Sequence, residues 1–170
     1  MPFSFIELES QALAAGPGQA ISPSWRRLHA MPRVAEKTYP VIGTYLTTAL
    51  SPVTAFVVNG LVRMRVVGIS DAALASTGTN GTLAVGISGA TTALLGTTTV
   101  DGTNFPAANS VWIDTTPTLL GEAAVANNLV GYYTASNVII TVGVNNMTTG
   151  GLALYCIYEP IAPGASVTAA

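Results

Sequence analysis

From Thr38 onward the apolar side chains fall at alternate positions, the period of a β-strand rather than a helix. Over 61–67, Val62, Met64 and Val66 share one face while Arg63 and Arg65 share the other. Leu83, Val85 and Ile87 line one face of a second run, and 138–144 gives a third. In 152–159, Leu152, Leu154, Cys156 and Tyr158 alternate with Ala153, Tyr155, Ile157 and Glu159. Both of those faces are largely apolar, which predicts a strand covered on both sides. Thr, Val, Ile and Tyr dominate these runs and suit a pleated, packed surface.

Turn chemistry separates the runs. Asn59-Gly60, Thr79-Asn80-Gly81, Asp101-Gly102, Asn145-Asn146 and Gly150-Gly151 punctuate the chain at short intervals, as hairpin turns do. Roughly seven or eight short strands with such turns predict an all-β fold, a β-sandwich or jelly roll. Residues 118–128 stay open between a helix and a strand with a loop, because alanines blur the period.

The N-terminal 37 residues read differently. Ser4 and Glu7 have capping-box spacing and Gly16 can end a short helix. A second short helix fits 24–30, but Pro17, Pro23, Pro32 and Pro40 interrupt anything longer. The division expected is an irregular arm over 1–37, a β-sandwich body over 38–160 and a frayed or draped tail over 161–170, rich in Pro, Gly, Ala and Ser.

Composition turns this pattern into a question about surface. The 170 residues are 49% hydrophobic and 8% charged, against about 25% charged for an ordinary soluble domain. No run reaches the roughly 18–20 apolar residues of a membrane-spanning helix, and the first twenty residues lack the basic start of a secretory signal. A chain this poor in charge is expected to spend its surface on other protein chains. All six basic residues, Arg26, Arg27, Arg33, Lys37, Arg63 and Arg65, lie before Val66, while the acids beyond it are Asp71, Asp101, Asp114, Glu122 and Glu159. With a formal net charge of −2, no electrostatic footprint for nucleic acid is present.

The residues offer little chemistry. His29 is the sole histidine and lies far in sequence from the sole cysteine, Cys156. That leaves no nucleophile motif and too few ligands for a zinc tetrad. Cys156 sits in an apolar run and is expected to act as a buried small hydrophobe. Asp101-Gly102 reads as a turn rather than part of a calcium loop, and Asp114 with Glu122 forms no recognisable acid–base pair. The sequon matches at Asn80 and Asn146 read as chance matches. No catalytic residue, cofactor or metal is predicted. The basic cluster Arg26, Arg27, Arg33 and Lys37 is either a solvated stretch or an anchor for an acidic surface, protein before nucleic acid.

Residues 54–60 (Thr-Ala-Phe-Val-Val-Asn-Gly), 111–114 (Val-Trp-Ile-Asp) and the ending 139–144, 151–161 and 164–167 resemble small structural proteins of tailed bacteriophages. In style they are similar in particular to capsid decoration, or cement, proteins, over about 38–170. The resemblance implies a homotrimer at three-fold positions on the outer surface of the phage head, a virion location, and the major capsid protein as partner. Arg26, Arg27, Arg33 and Lys37 then become the capsid contact, and Arg63, Arg65, Tyr132 and Tyr133 a subunit interface. The alternatives are a neck, tail or fibre component, or a carbohydrate-binding attachment module using Trp112, Tyr132 and Tyr133. For those aromatics, burial in the core or the trimer interface is the favoured expectation.

Overall fold

The computed structural model describes residues 32–100, 104–105, 108–113, 118–119 and 132–170. In chain order these form β1 (Arg33–Tyr39), α1 (Ile42–Tyr45), β2 (Val53–Asn59), β3 (Val62–Ser70) and β4 (Ala75–Ser76). There follow β5 (Thr82–Ile87), β6 (Ala90–Thr99), β7 (Ser110–Trp112), β8 (Thr118–Leu119) and β9 (Tyr132–Thr134). The chain ends with β10 (Val138–Gly143), β11 (Met147–Thr149), β12 (Leu152–Pro160) and β13 (Ser166–Ala169). Among the described residues, eight strands have four residues or more, in line with the seven or eight that the turn spacing predicts. The other five are bridges of two or three residues, too short for a two-residue period to show.

The protein is an all-β sandwich. One antiparallel sheet runs β1-β12-β3-β7-β8, with β9 also on β3; the other runs β13-β2-β10-β5-β6. A small third sheet pairs β11 with β4. Sequence neighbours pass between the two large sheets: β2 and β3 lie in opposite sheets, as do β12 and β13. Gly60 makes the first of these crossings at φ 74°, a left-handed conformation that costs glycine little.

A single cluster of buried residues joins the sheets. Leu152, Leu154, Cys156, Val62, Met64 and Val66 from the first meet Phe56, Leu83, Val85, Leu95 and Ile140 from the second. The alternations read in 61–67, 83–87 and 152–158 therefore each place one face in this core. Trp112 is fully buried, with Phe105 edge-on to it at 6.0 Å. Gly68 stands opposite Trp112 in the ladder. A Cβ there would lie 3.2 Å from the indole, so the missing side chain is what admits the ring.

Two expected boundaries move. β1 begins at Arg33, inside the expected arm, and the compact body runs from Arg33 to Ala170. Strand formation wins because Arg33 to Tyr39 keeps a full register with Tyr158 to Leu152. Within the expected tail, Ser166–Ala169 lie on the body as strand β13, with Val167 opposite Val58 and both buried. The residues before 32, including both expected short helices, lie outside the described residues, as do 120–131. Among the described residues no helix is long and apolar enough to cross a membrane.

Leu154 is fully buried on β12, an interior strand of the six-stranded sheet. Leu154→Asp should abolish cooperative unfolding, because a carboxylate without a partner in that core costs several kcal/mol. Thermal melting followed by near-UV circular dichroism checks this, and a wild-type melting temperature would contradict it.

Candidate interaction surface

The register of the six-stranded sheet assigns every outward-facing side chain. One row crosses the strands as Thr38, Ala153, Ile69 and Val111. The next is Glu36, Tyr155 and Val67, and the third is Val34, Ile157 and Arg65. Glu159, Arg63 and Tyr133 make the fourth. None of these side chains belongs to the core. Val34 and Tyr133 are 62% and 60% exposed, while Tyr155, Ile157, Val67 and Ile69 are half-buried among their neighbours. The outer face of the five-stranded sheet differs: it carries Thr54, Thr82, Thr141 and Thr168 with Asn59 and Ser166, and Val57 and Ile139 are its large apolar side chains.

Four charged side chains, Glu36, Arg65, Arg63 and Glu159, stand among the apolar ones on this face. Arg63 lies 3.4 Å from Glu159 across the β3–β12 ladder, so a strand neighbour supplies its acidic partner. Arg65 is exposed and has no ion-pair partner among the described residues. Glu36 is exposed and accepts a hydrogen bond from the Thr38 hydroxyl at 3.2 Å.

The expected site residues separate accordingly. Arg63, Arg65 and Tyr133 come together on this face. Tyr132 pairs with Met64 instead and packs against the core, because successive strand residues point to opposite faces. Arg33 opens β1 and is exposed. Lys37 is half-buried, donates to the main-chain oxygen of Ala170 and sits 5.6 Å from the Tyr39 ring centroid. Arg26, Arg27 and His29 lie outside the described residues, as do Asp101, Asp114 and Glu122. Trp112, buried in the core, presents no aromatic platform for a sugar.

Sequence reasoning read 152–159 as covered on both sides, and among the described residues only the Leu152–Tyr158 face is. The residues it missed as surface candidates are Glu36, Val34, Val67, Tyr155 and Ile157. The apolar second face of β12 was the available signal for two of them. The others needed the register, since β1 and β3 are distant in sequence.

A second exposed apolar area lies at one end of the sandwich. Thr48 donates twice to Asn146 and Met147 bonds back to Leu46, so the α1–β2 connection packs beside the β10–β11 turn. Val41, Tyr45, Leu50 and Val144 are exposed on these segments, and 40–52 and 143–151 contain no charged residue. Among the described residues no three of His, Cys, Asp and Glu stand close enough to hold a metal ion.

Compared with known protein families, with curated proteins and with solved structures, the chain matches none.

Cys156 lies in the core with its Sγ 3.9 Å from the Met64 sulfur, and burial pushes its pKa from 9.0 up to about 12. Burial likewise lifts Tyr39 from 10.0 to about 12. Both groups are neutral when protonated. The unfolded chain therefore loses these protons from about pH 9–10 while the fold keeps them, and stability falls as pH rises toward 12. Urea unfolding should give constant stability from about pH 7 to 8.5 and a steady decline above it. Cys156 should resist alkylation at about pH 8 until denaturant is added; rapid labelling of the native protein would contradict its burial.

Proposed function

We propose that this protein is a virion structural protein, a capsid decoration protein that acts as a homotrimer on the outer surface of a phage head and stabilises it. The observation that carries the reading is a chain with only 8% charged residues whose six-stranded sheet gathers Val34, Val67, Tyr155, Ile157 and Tyr133 on its outer face. Protein surfaces that are permanently covered lose charge and gain apolar area. The charge-free loop end with Val41, Tyr45, Leu50 and Val144 gives the sandwich a second surface of the same kind. Two such surfaces suit a protein that holds its own copies with one and the major capsid protein with the other. The resemblance over 38–170 points the same way.

In this reading the work is mechanical. Each copy bridges capsid subunits, and the free energy of burying its apolar surface opposes their separation. No catalytic group, cofactor, metal, membrane or nucleic acid takes part. The basic residues Arg26, Arg27, Arg33 and Lys37 extend the capsid contact, since cations steer a partner with acidic patches. A neck, tail or fibre component is the second reading, because the same surfaces would serve any permanent virion assembly. A glycan-binding module would depend on Tyr133, the exposed aromatic of the outer face, with Trp112 unable to contribute.

The test is reconstitution. Purified protein added to heads that lack it should appear as density at three-fold positions on the outer shell and should raise the temperature at which the heads release DNA. Density at the neck or tail would favour the second reading, and no association with any particle would overturn both. Deleting residues 1–31, which leaves β1 whole, should weaken head binding without altering the melting of the body; unchanged binding would remove the arm from the contact.

A further inference from the structure

The outer face of the six-stranded sheet carries a charge pattern that complements itself. Glu36 on β1 is aligned with Tyr155, and Arg65 on β3 is aligned with Ile157. The two charges thus lie diagonally across the interior strand β12, one on each side of the Tyr155–Ile157 pair. A two-fold axis lying in the interface and passing near that pair exchanges their positions. Each Glu36 then faces the Arg65 of the other copy, so one symmetric contact forms two ion pairs. Tyr155, Ile157, Val67 and Val34 fill the space between them.

We infer that this face binds the same face of a second copy of the chain across a two-fold axis. The sequence of β12 agrees with it: a strand apolar on both sides is a strand covered on both sides, and one chain covers one side among the described residues. Isologous contacts have this reciprocity, in which residue i meets j and j meets i. Four strands at ~4.8 Å spacing and four alternating rows give a field of roughly 20 by 20 Å. Pairing two such fields buries about 800 Å², the size of a weak or transient contact, so the pairing should be reversible and concentration-dependent. The inference rests on the reading that copies of this chain associate, and adds where and with what symmetry. A three-fold ring joins unlike patches, so the two-fold contact lies between rings and links one trimer to the next.

Charge reversal tests it. Glu36→Arg and Arg65→Glu should each weaken the self-association measured by sedimentation equilibrium by about tenfold or more, since each reversal spoils both ion pairs. Both side chains are exposed, so melting temperatures should hold. Mixing the two variants one to one should restore that association, each two-fold contact then joining one chain of each variant. In the mixed pair the two introduced charges face each other with opposite sign, and the native Arg65 of one chain still faces the native Glu36 of the other. Reversals that leave association unchanged overturn the inference, and so does a mixture that associates no better than the variants alone. If either reversal fails to fold, Tyr155→Cys with a short bis-maleimide reads the same contact, since buried Cys156 does not compete. Covalent dimers are expected, and their absence overturns the inference. A wild-type chain that stays monomeric at all concentrations also overturns it, and assigns the face to another occupant such as residues 1–31 or a capsid subunit. Head binding is scored separately: variants that bind heads but no longer pair sink this inference and leave the decoration reading standing.

Discussion

The ladder between β3 and β12 is the constraint on which the rest of this sandwich depends. Nine residue pairs run without a shift from Leu152 and Ser70 to Pro160 and Val62. A slip of β12 by one residue would move Leu154 and Cys156 out of the core and place Tyr155 and Ile157 in it. The ladder holds because both strands alternate in step. It also fixes what lies to either side, since β1 reads its register from β12 and β7 and β9 read theirs from β3.

Its consequences reach the surface. The register that buries Leu152, Leu154 and Cys156 must present Ala153, Tyr155 and Ile157 outward. Apolar side chains gathered on the outer face of a sheet invite association. The fold keeps the Arg63–Glu159 pair at one margin of this face and single charges at Glu36 and Arg65. A few charges on an apolar field add little affinity, but they decide orientation and partner, because a mismatched approach leaves a charge unpaired. The sheet that organises the core thus also carries the proposed contact between chains.

The two ends of the body meet at one corner of the sandwich. Lys37 on β1 reaches the main-chain oxygen of Ala170, and the Ala170 amide bonds to Ala55 on β2. Edge strands β1 and β13, one from each sheet, are thereby held together. Unprotected sheet edges pair indiscriminately, and the Lys37 side chain bridges these two.

Local pattern alone determined a good deal. The two-residue period told that Val62, Met64, Val66, Leu152, Leu154 and Cys156 are core, since alternation is a property of a single strand. The shortage of charge told that the surface is unusual. Other features required tertiary structure. Arg33 to Tyr39 became a strand only because β12 offered an edge to pair with, and 166–169 only because β2 did. Tyr132 and Tyr133, adjacent and alike in sequence, were sent to opposite faces by their register on β3. The outer apolar field could not be read in advance, because it is assembled from β1, β3, β7, β9 and β12. Sequence records the faces of each strand, but which faces become one surface is decided by strand pairing, a contact between residues far apart in the chain.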